Sequence, residues 1–204
     1  MNFRNLLPAE FLLTAAFLMA VYIVLAVVYK RLGRLNSAAR RAVHRLRRPW
    51  MRRFFILTHK LYDVPLASVQ VALVGLLLGF AWNDWRAATA LLAALFLQTA
   101  VVSATKGLSG RVRPPHDTAH VIMQSGSYPS GHSAGSMTFA ILAPVLVLPY
   151  VPGAFAAGLA AYLLTMALLT AAGRLYLDMH WFTDLVGGWI LSSVTVMFTL
   201  ALIS

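Results

Sequence analysis

The sequence contains no cysteine and only six acidic residues in 204 positions. Without cysteine, the chain can form neither a disulfide framework nor a thiolate metal site. The few carboxylates are scattered, so the sequence offers no carboxylate cluster of the kind that binds magnesium. Charged residues of both signs make up 11% of the chain, which is far too few for an ordinary soluble domain.

Long apolar runs fill the chain instead. Hydrophobic residues make up 60% of it, and the mean hydropathy is +0.74. Six runs approach or exceed the roughly 20 residues that a membrane-spanning helix needs. They cover residues 6–29, 64–82, 87–104, 133–151, 154–172 and 185–203. No small-residue cleavage site follows the first run, so we expect it to remain as a span. The sequence predicts an all-α polytopic membrane protein with six transmembrane helices in a single domain, residues 1–204.

A basic segment, residues 36–61, separates the first two runs. Its apolar residues recur every three or four positions, as Ala39, Val43, Leu46, Trp50, Phe54, Leu57 and Leu61. Arginines fill the other positions, and eleven of the 17 Lys and Arg residues lie in 30–60. This pattern predicts an amphipathic helix, broken or bent near Pro49, in the headgroup plane. Beside membrane spans, such charge indicates contact with the lipid bilayer rather than with nucleic acid. The segment then serves either as a membrane-surface anchor alone or as an anchor that also gathers anionic lipid substrates.

Span parity places the basic segment, residues 105–131 and residues 173–184 on one side of the membrane. The polar residues of interest therefore share a side. This favours an enzyme over a transporter or lipid-flipping protein, because transport requires ionisable groups near the midplane.

The stretch 173–184, GRLYLDMHWFTD, holds the first chemical motif. If Trp181 onward is helical, His180 and Asp184 lie one turn apart on the same face. A carboxylate that fixes the tautomer of a histidine makes that histidine a nucleophile or base. Arg174 adds a planar guanidinium suited to phosphate oxygens.

Two further motifs precede it. Lys106 and Arg113 flank six residues at the end of the third run, where two cations can meet one tetrahedral anion or simply anchor the span. Ser130 occupies an N-cap position before the fourth run, and a helix N-terminus binds anions. Gly131 permits close backbone approach, and His132 can donate a proton to a leaving oxygen; the alternative is a capped helix with an incidental histidine.

The three motifs, Lys-x6-Arg-Pro, Pro-Ser-Gly-His and Arg-x5-His-x3-Asp, stand in this order on a chain with six apolar runs. In this the chain resembles the type 2 phosphatidic acid phosphatase family, which shares its phosphate pocket with vanadium-dependent haloperoxidases. The resemblance covers nearly the whole chain. One departure is Gly173, where the family usually has serine before the arginine, so one hydroxyl contact is lost.

The resemblance implies a metal-independent reaction without cofactors. His180 attacks phosphorus and forms a phosphohistidine, with Asp184 at its other nitrogen. His132 protonates the departing lipid oxygen and then takes a proton from water. The phosphoryl oxygens are held by Lys106, Arg113, Ser130, Gly131 through its N–H, and Arg174.

The expected partner is a membrane lipid phosphate, without nucleic acid and without an obligate protein partner. Candidate substrates are undecaprenyl diphosphate, phosphatidylglycerol phosphate and phosphatidic acid. Alternatives are a lipid transporter and a haloperoxidase relative, although those relatives are soluble. We expect a multi-pass protein of the bacterial inner membrane. In most bacterial members of the family that the chain resembles, the site is on the extracytoplasmic face, whereas 15 of the 17 basic residues share its side and argue for the cytoplasmic face.

Three smaller expectations concern other polar residues. Asp178 is expected at the rim of the site rather than as a second base. Gln98, inside the third run, is expected to form an interhelical hydrogen bond. His116, Asp117 and His120 lie between motifs, and we expect an ordinary loop there rather than a metal site.

Overall fold

The computed structural model describes residues 9–61, 63–115 and 125–203, and its regular elements there are all helical. The α-helices are α1 (Ala9–Val28), α2 (Gly33–Arg45), α3 (Pro49–Leu61), α4 (Val64–Leu76), α5 (Trp85–Ser109), α6 (Gly131–Val147), α7 (Gly153–Tyr176) and α8 (Phe182–Ile203). The all-α fold class is therefore confirmed. The loop containing His116, Asp117 and His120 lies outside the described residues.

Five helical stretches are long and apolar enough to cross a membrane. They correspond to α1, α5, α6 with the 3-10 turn Leu148–Tyr150, α7 and α8. The second predicted span differs: α4 has 13 residues and continues into a π-helical turn, Leu77–Ala81. It passes the same test only together with α3, across a bend of 47°. Residues 9–61, 63–115 and 125–203 thus contain five candidate spans, or six if the bent pair counts as one.

The basic segment forms two helices that are separated just before Pro49, where a break or bend was expected. α2 ends at Arg45, residues 46–48 are not helical, and Pro49 is the first residue of α3. Proline fits the first turn of a helix but not its interior, so a new helix begins there. Trp50 and Leu57 are exposed, as expected of an apolar face in contact with lipid. On its other face α3 packs against α7, where the rings of Phe55 and Tyr176 lie 4.7 Å apart.

Helix α6 lies at the centre, in contact with α5, α7 and α8. A buried polar chain joins three of these helices. Gln98 of α5 donates through Nε2 to Thr138 Oγ1 at 2.8 Å, and Thr138 donates to Ser192 Oγ at 3.0 Å. Gln98 thus forms the expected interhelical hydrogen bond. Such bonds satisfy polar groups that the hydrocarbon interior cannot solvate.

Two glycines of α8 allow the segment before α6 to approach closely. A Cβ atom on Gly187 would lie 2.4 Å from the ring of Tyr128, and one on Gly188 would lie 2.7 Å from the carbonyl oxygen of Ser130. Any larger residue would push this segment away. The Tyr128 hydroxyl also donates to the carbonyl of Tyr22 in α1 at 2.6 Å. These contacts fix the start of α6 against the start of α8.

Candidate active site

The three sequence motifs meet at one end of the bundle. Lys106 lies in the last turn of α5, and Arg174 lies in the last turn of α7. His132 lies in the first turn of α6, and His180 and Asp184 lie on either side of the start of α8. Consecutive spans run in opposite directions, so the end of one and the beginning of the next lie on the same side. The backbone N–H of Ser130 donates to the carbonyl of Asp184 at 3.0 Å, which joins the second motif to the third.

His180 and Asp184 form the expected pair with a different local structure. α8 begins at Phe182, so His180 lies in the turn before the helix and Asp184 in its first turn. Nδ1 of His180 lies 3.4 Å from Oδ2 of Asp184, longer than an ordinary hydrogen bond. The same carboxylate oxygen accepts the N–H of Trp181 at 2.8 Å and the hydroxyl of Ser127. The carboxylate is therefore held rigidly beside the imidazole.

Arg111 is a member of this site that the sequence analysis did not single out. Its Nη1 lies 2.7 Å from Oδ1 of Asp184 and donates to Thr183 Oγ1 at 2.9 Å. Thr183 in turn donates its hydroxyl and its N–H to Oδ1 of Asn36 in α2. Arg111 thus neutralises Asp184 and links it to α2. The only sequence signal was a third basic residue within the first motif.

The electrostatics around His180 favour a neutral imidazole. Burial lowers the pKa of His180 to about 4, an effect that outweighs the attraction of Asp184 and is reinforced by Arg113 and Lys106. At neutral pH the ring therefore carries one proton. Asp184 favours that proton on Nδ1, which leaves the lone pair on Nε2. A neutral imidazole with a free lone pair can act as a nucleophile.

Arg113 lies directly beside that lone pair. Its Nη1 is 3.3 Å from Nε2 of His180 and donates to the carbonyl of Met179 at 2.5 Å. The same guanidinium donates to the carbonyls of Ser125 and Gly126 at 3.1 and 3.2 Å. Burial lowers the pKa of Arg113, and nearby Asp184 opposes this shift. Arg113 therefore places a positive charge where an anion would meet His180.

Arg174 is buried and incompletely bonded. Its side chain is 1% exposed, and its Nη1 points to the sulfur of Met179 at 3.3 Å. Within residues 9–61, 63–115 and 125–203, its Nη2 has no hydrogen-bond partner. A buried guanidinium nitrogen without a partner is costly, so it indicates a place for an acceptor such as a phosphoryl oxygen. Lys106 is close enough to interact electrostatically with Arg174 and Arg113.

The start of α6 has the expected cap. Ser130 accepts the N–H of Ser133 at 3.3 Å and the hydroxyl of Ser133 at 2.9 Å. Ser130 is fully buried, so its hydroxyl serves the helix, while Gly131 and His132 line the adjacent cavity. Gly173, where a serine was expected by resemblance, faces α3: a Cβ atom there would lie 3.1 Å from Phe55.

A cavity of about 1570 Å³ begins at this cluster and extends between α4, α5 and α6. Lys106, Arg113 and His132 line its polar end, and Leu92 and Phe139 line its apolar end. The part of α5 from Leu92 to Lys106 measures about 21 Å at a rise of about 1.5 Å per residue. The cavity thus joins a cationic mouth to an apolar channel within the membrane-spanning part of the bundle.

Among the described residues, one cluster of two histidines and a carboxylate is compact enough to hold a metal ion. The ligand atoms of His59, Asp63 and His132 lie within 4.8 Å of one another. The adjoining site, however, contains the cations Lys106 and Arg174, together with Arg113. Their repulsion makes these surroundings more favourable for an anion than for a metal ion.

Asp178 corrects the sequence analysis. It does not lie at the rim: its side chain is fully buried and accepts from Arg40 Nε at 2.8 Å and Arg47 Nη2 at 2.6 Å, with His44 Nε2 at 3.0 Å. Burial alone would raise the pKa of Asp178, but hydrogen bonds from these three side chains lower it to about 2. Asp178 therefore ties α2 to the turn that carries His180. Arg40 and Arg47, expected in the headgroup plane, serve this ion-pair cluster.

The chain is similar to known proteins in sequence and in fold. A family model described as the PAP2 superfamily matches residues 87–204. A transmembrane PAP2 type phosphatidylglycerolphosphate phosphatase from Bacillus subtilis is similar in structure, with a TM-score of 0.83 and 20% identity over 92% of this chain and 94% of that one. LpxE from Aquifex aeolicus has a TM-score of 0.65 and 20% identity over 82% of this chain and 95% of that one. At these identities the likeness concerns the fold. No curated protein sequence matches significantly.

Proposed function

Since the chain belongs to the PAP2 superfamily, we propose that it is an integral membrane lipid phosphatase that hydrolyses the phosphomonoester or diphosphate of a membrane lipid. The observation that carries this proposal is the cavity, which joins a cationic mouth to an apolar channel. A lipid phosphate has the same two parts. Its headgroup fits the cations, and its tail fits the channel between α4 and α5.

In the first step of the proposed mechanism, Nε2 of His180 attacks phosphorus and the bond to the lipid oxygen breaks. The electron pair of that bond stays on the oxygen, which takes a proton from His132. Arg113 and Arg174 stabilise the negative charge on the phosphoryl oxygens, together with Lys106 and the N–H of Gly131. The Arg113 guanidinium, 3.3 Å from Nε2, is well placed for this role.

In the second step, water replaces the histidine. His132, now neutral, takes a proton from the water as its oxygen attacks phosphorus, and the nitrogen–phosphorus bond returns its electron pair to His180. The products are a lipid alcohol, or a lipid monophosphate from a diphosphate, and inorganic phosphate. Asp184, held by Arg111 and Ser127, keeps the imidazole in one orientation through both steps.

Phosphatidylglycerol phosphate, phosphatidic acid and undecaprenyl diphosphate are the proposed substrate candidates. The resemblance to the phosphatidylglycerolphosphate phosphatase from Bacillus subtilis extends over nearly the whole fold, and this supports testing the first of them at the outset.

The proposal is tested by phosphate release from these three lipids by the purified protein in detergent with EDTA. We expect release that EDTA does not reduce, because the site provides its positive charge through side chains. Glycerol 3-phosphate, which has the phosphate but no tail, should show kcat/KM at least about 100-fold lower, since binding energy from remote parts of a substrate assists the reaction. Equal rates with and without a tail would contradict the lipid assignment. Absence of release from every lipid would contradict the phosphatase assignment.

We further propose that the site faces the outside of the bacterial inner membrane. Several basic residues that suggest the opposite orientation have structural partners: Arg40 and Arg47 bind Asp178, and Arg111 binds Asp184. Their presence on this side therefore has a cause other than topology.

The cysteine-free sequence allows a direct test of this orientation. Ala38 on α2 and Ala154 at the opposite end of the bundle are both exposed, and each can be changed to cysteine singly. With a membrane-impermeant maleimide on intact cells, we expect Ala38→Cys to be labelled and Ala154→Cys to be labelled only after lysis. The reverse pattern would place the site in the cytoplasm.

A further inference from the structure

A carboxylate outside the segment matched by the family model lies beside the second histidine of the site. Asp63 stands between α3 and α4, and its Oδ1 is 3.2 Å from Nε2 of His132. We propose that Asp63 is a positioning residue that holds His132 protonated and oriented for transfer to the leaving oxygen. This inference rests on the proposed phosphatase function. It gives each histidine of the site its own carboxylate, Asp184 for His180 and Asp63 for His132.

The location of Asp63 is fixed by the backbone. Its carbonyl accepts the N–H of Ala67 at 3.0 Å, so Asp63 is the residue from which α4 starts. It lies at the 47° bend between α3 and α4. His132 is the second residue of α6 and lines the mouth of the cavity. The contact therefore joins the starts of two helices beside the mouth of the cavity.

The charges facing His132 explain why a carboxylate is needed there. From α3, the ring of His59 lies 5.8 Å away between centroids. From α7 and the turn after it, Arg174 and His180 interact with His132 electrostatically. Lys106 and Arg113 line the same cavity. Among these five neighbours and Asp63, the carboxylate of Asp63 is the only group with a negative charge.

A general acid must carry its proton when the substrate arrives. The surrounding arginines and lysine repel a protonated imidazole, and burial disfavours its charge. The carboxylate of Asp63 opposes both effects at a separation of 3.2 Å. It also restricts rotation of the ring. Removal of this charge should therefore impair proton donation while leaving the attack by His180 intact.

Leaving-group chemistry separates these two functions. When the bond from phosphorus to a lipid oxygen breaks, the oxygen needs a proton because an alkoxide is a poor leaving group. A p-nitrophenyl oxygen leaves readily as the phenolate and needs no proton. In the first turnover, loss of proton donation should therefore slow the cleavage of a lipid phosphate strongly and the cleavage of p-nitrophenyl phosphate only weakly.

The test compares Asp63→Asn with the unmodified protein in the first turnover of both substrates. We expect the lipid phosphate to react about 10- to 100-fold more slowly, part of the roughly 10²–10⁴-fold that general acid catalysis contributes. The burst of p-nitrophenol should stay within about 3-fold. Asp63→Glu, which keeps the charge, should recover much of the lipid rate. The alkaline limb of the pH–rate profile for the lipid should move to lower pH in Asp63→Asn.

A double-mutant cycle adds a second readout. If Asp63 acts through His132, Asp63→Asn should cause little further loss in a His132→Ala background. Equal losses on both substrates, or no loss on the lipid, would overturn the inference. If Asp63→Asn does not fold, Asp63→Ala, which also lacks the carboxylate, is measured instead, and a ratio of lipid to aryl rates equal to that of the unmodified protein would overturn the inference. No phosphate release by the unmodified protein would instead contradict the proposed function.

Discussion

Replacement of His180 by alanine is expected to lower phosphate release from a lipid substrate by at least about 10⁴-fold, as loss of a nucleophile does in other covalent enzymes. The side chain is 1% exposed, and burial lowers its pKa to about 4, so its lone pair is available at neutral pH. Its Nε2 lies 3.3 Å from the Arg113 guanidinium, where a phosphoryl group would be bound. Water cannot take this place, because it has neither the fixed position nor the orientation that Asp184 gives to the imidazole.

The measurement is steady-state phosphate release by the purified variant, combined with substrate binding to confirm that the site is intact. His44→Ala is a matched control, a histidine-to-alanine change at the same end of the bundle. His44 contacts Asp178, but Arg40 and Arg47 keep that carboxylate bound, so we expect activity within about 3-fold of the unmodified protein. Substantial phosphate release by His180→Ala would refute the phosphohistidine mechanism.

The ordered motifs predicted much of the candidate site. Their positions at the ends of apolar runs indicated that Lys106, His132, Arg174 and His180 would meet on one side, and the structure brings these residues to one end of the bundle. The N-cap at Ser130 also follows from local sequence, since the cap and its partner are three residues apart. Such features depend on short separations along the chain or on the alternating direction of spans.

The residues that sequence reasoning missed depend on long-range packing. Asp63 and His132 are 69 positions apart, and Arg111 and Thr183 are 72 apart. The amphipathic pattern of residues 36–61 predicts an apolar face and a basic face, but it does not indicate which arginines will bind a carboxylate. That choice depends on how α2 and α3 lie against α7 and α8.

The second span illustrates a limit of hydropathy. Its apolar run predicted one regular helix, but Trp85 packs against Gly79 so closely that a Cβ atom there would lie 2.8 Å from the ring. The same stretch, Leu77–Ala81, forms a π-helical turn. A local change in helix type of this kind leaves no trace in the average hydrophobicity of the run.

The structure joins the basic helix α2 to the turn that carries His180 and to the start of α8 through buried acceptors. Asn36 accepts from Thr183 in α8, and Asp178 accepts from Arg40 and Arg47. The turn that carries His180 therefore depends on α2 for its position. This arrangement gives the arginines of α2 a structural function in addition to any contact with lipid headgroups.

Asp178→Asn is accordingly expected to destabilise the protein by about 2–4 kcal/mol. Breaking a buried ion pair typically costs about 3–5 kcal/mol, and we reduce this because Arg40 and Arg47 are 22% and 21% exposed and can be partly solvated. The measurement is thermal unfolding in detergent. Asp84→Asn is the matched control: asparagine caps a helix about as well as aspartate, so this change at the N-cap of α5, at the opposite end, should cost no more than about 0.5 kcal/mol.

The dependence on pH provides an independent check of the Asp178 prediction. The pKa of Asp178 is about 2 in the folded protein and about 3.9 in an unfolded chain, so its stabilisation is present above about pH 4 and is lost as the pH falls towards 2. The difference in stability between the unmodified protein and Asp178→Asn should therefore shrink in acid. A difference that is small at pH 7, or that persists unchanged at low pH, would contradict the role of this carboxylate in holding α2 to the turn that carries His180.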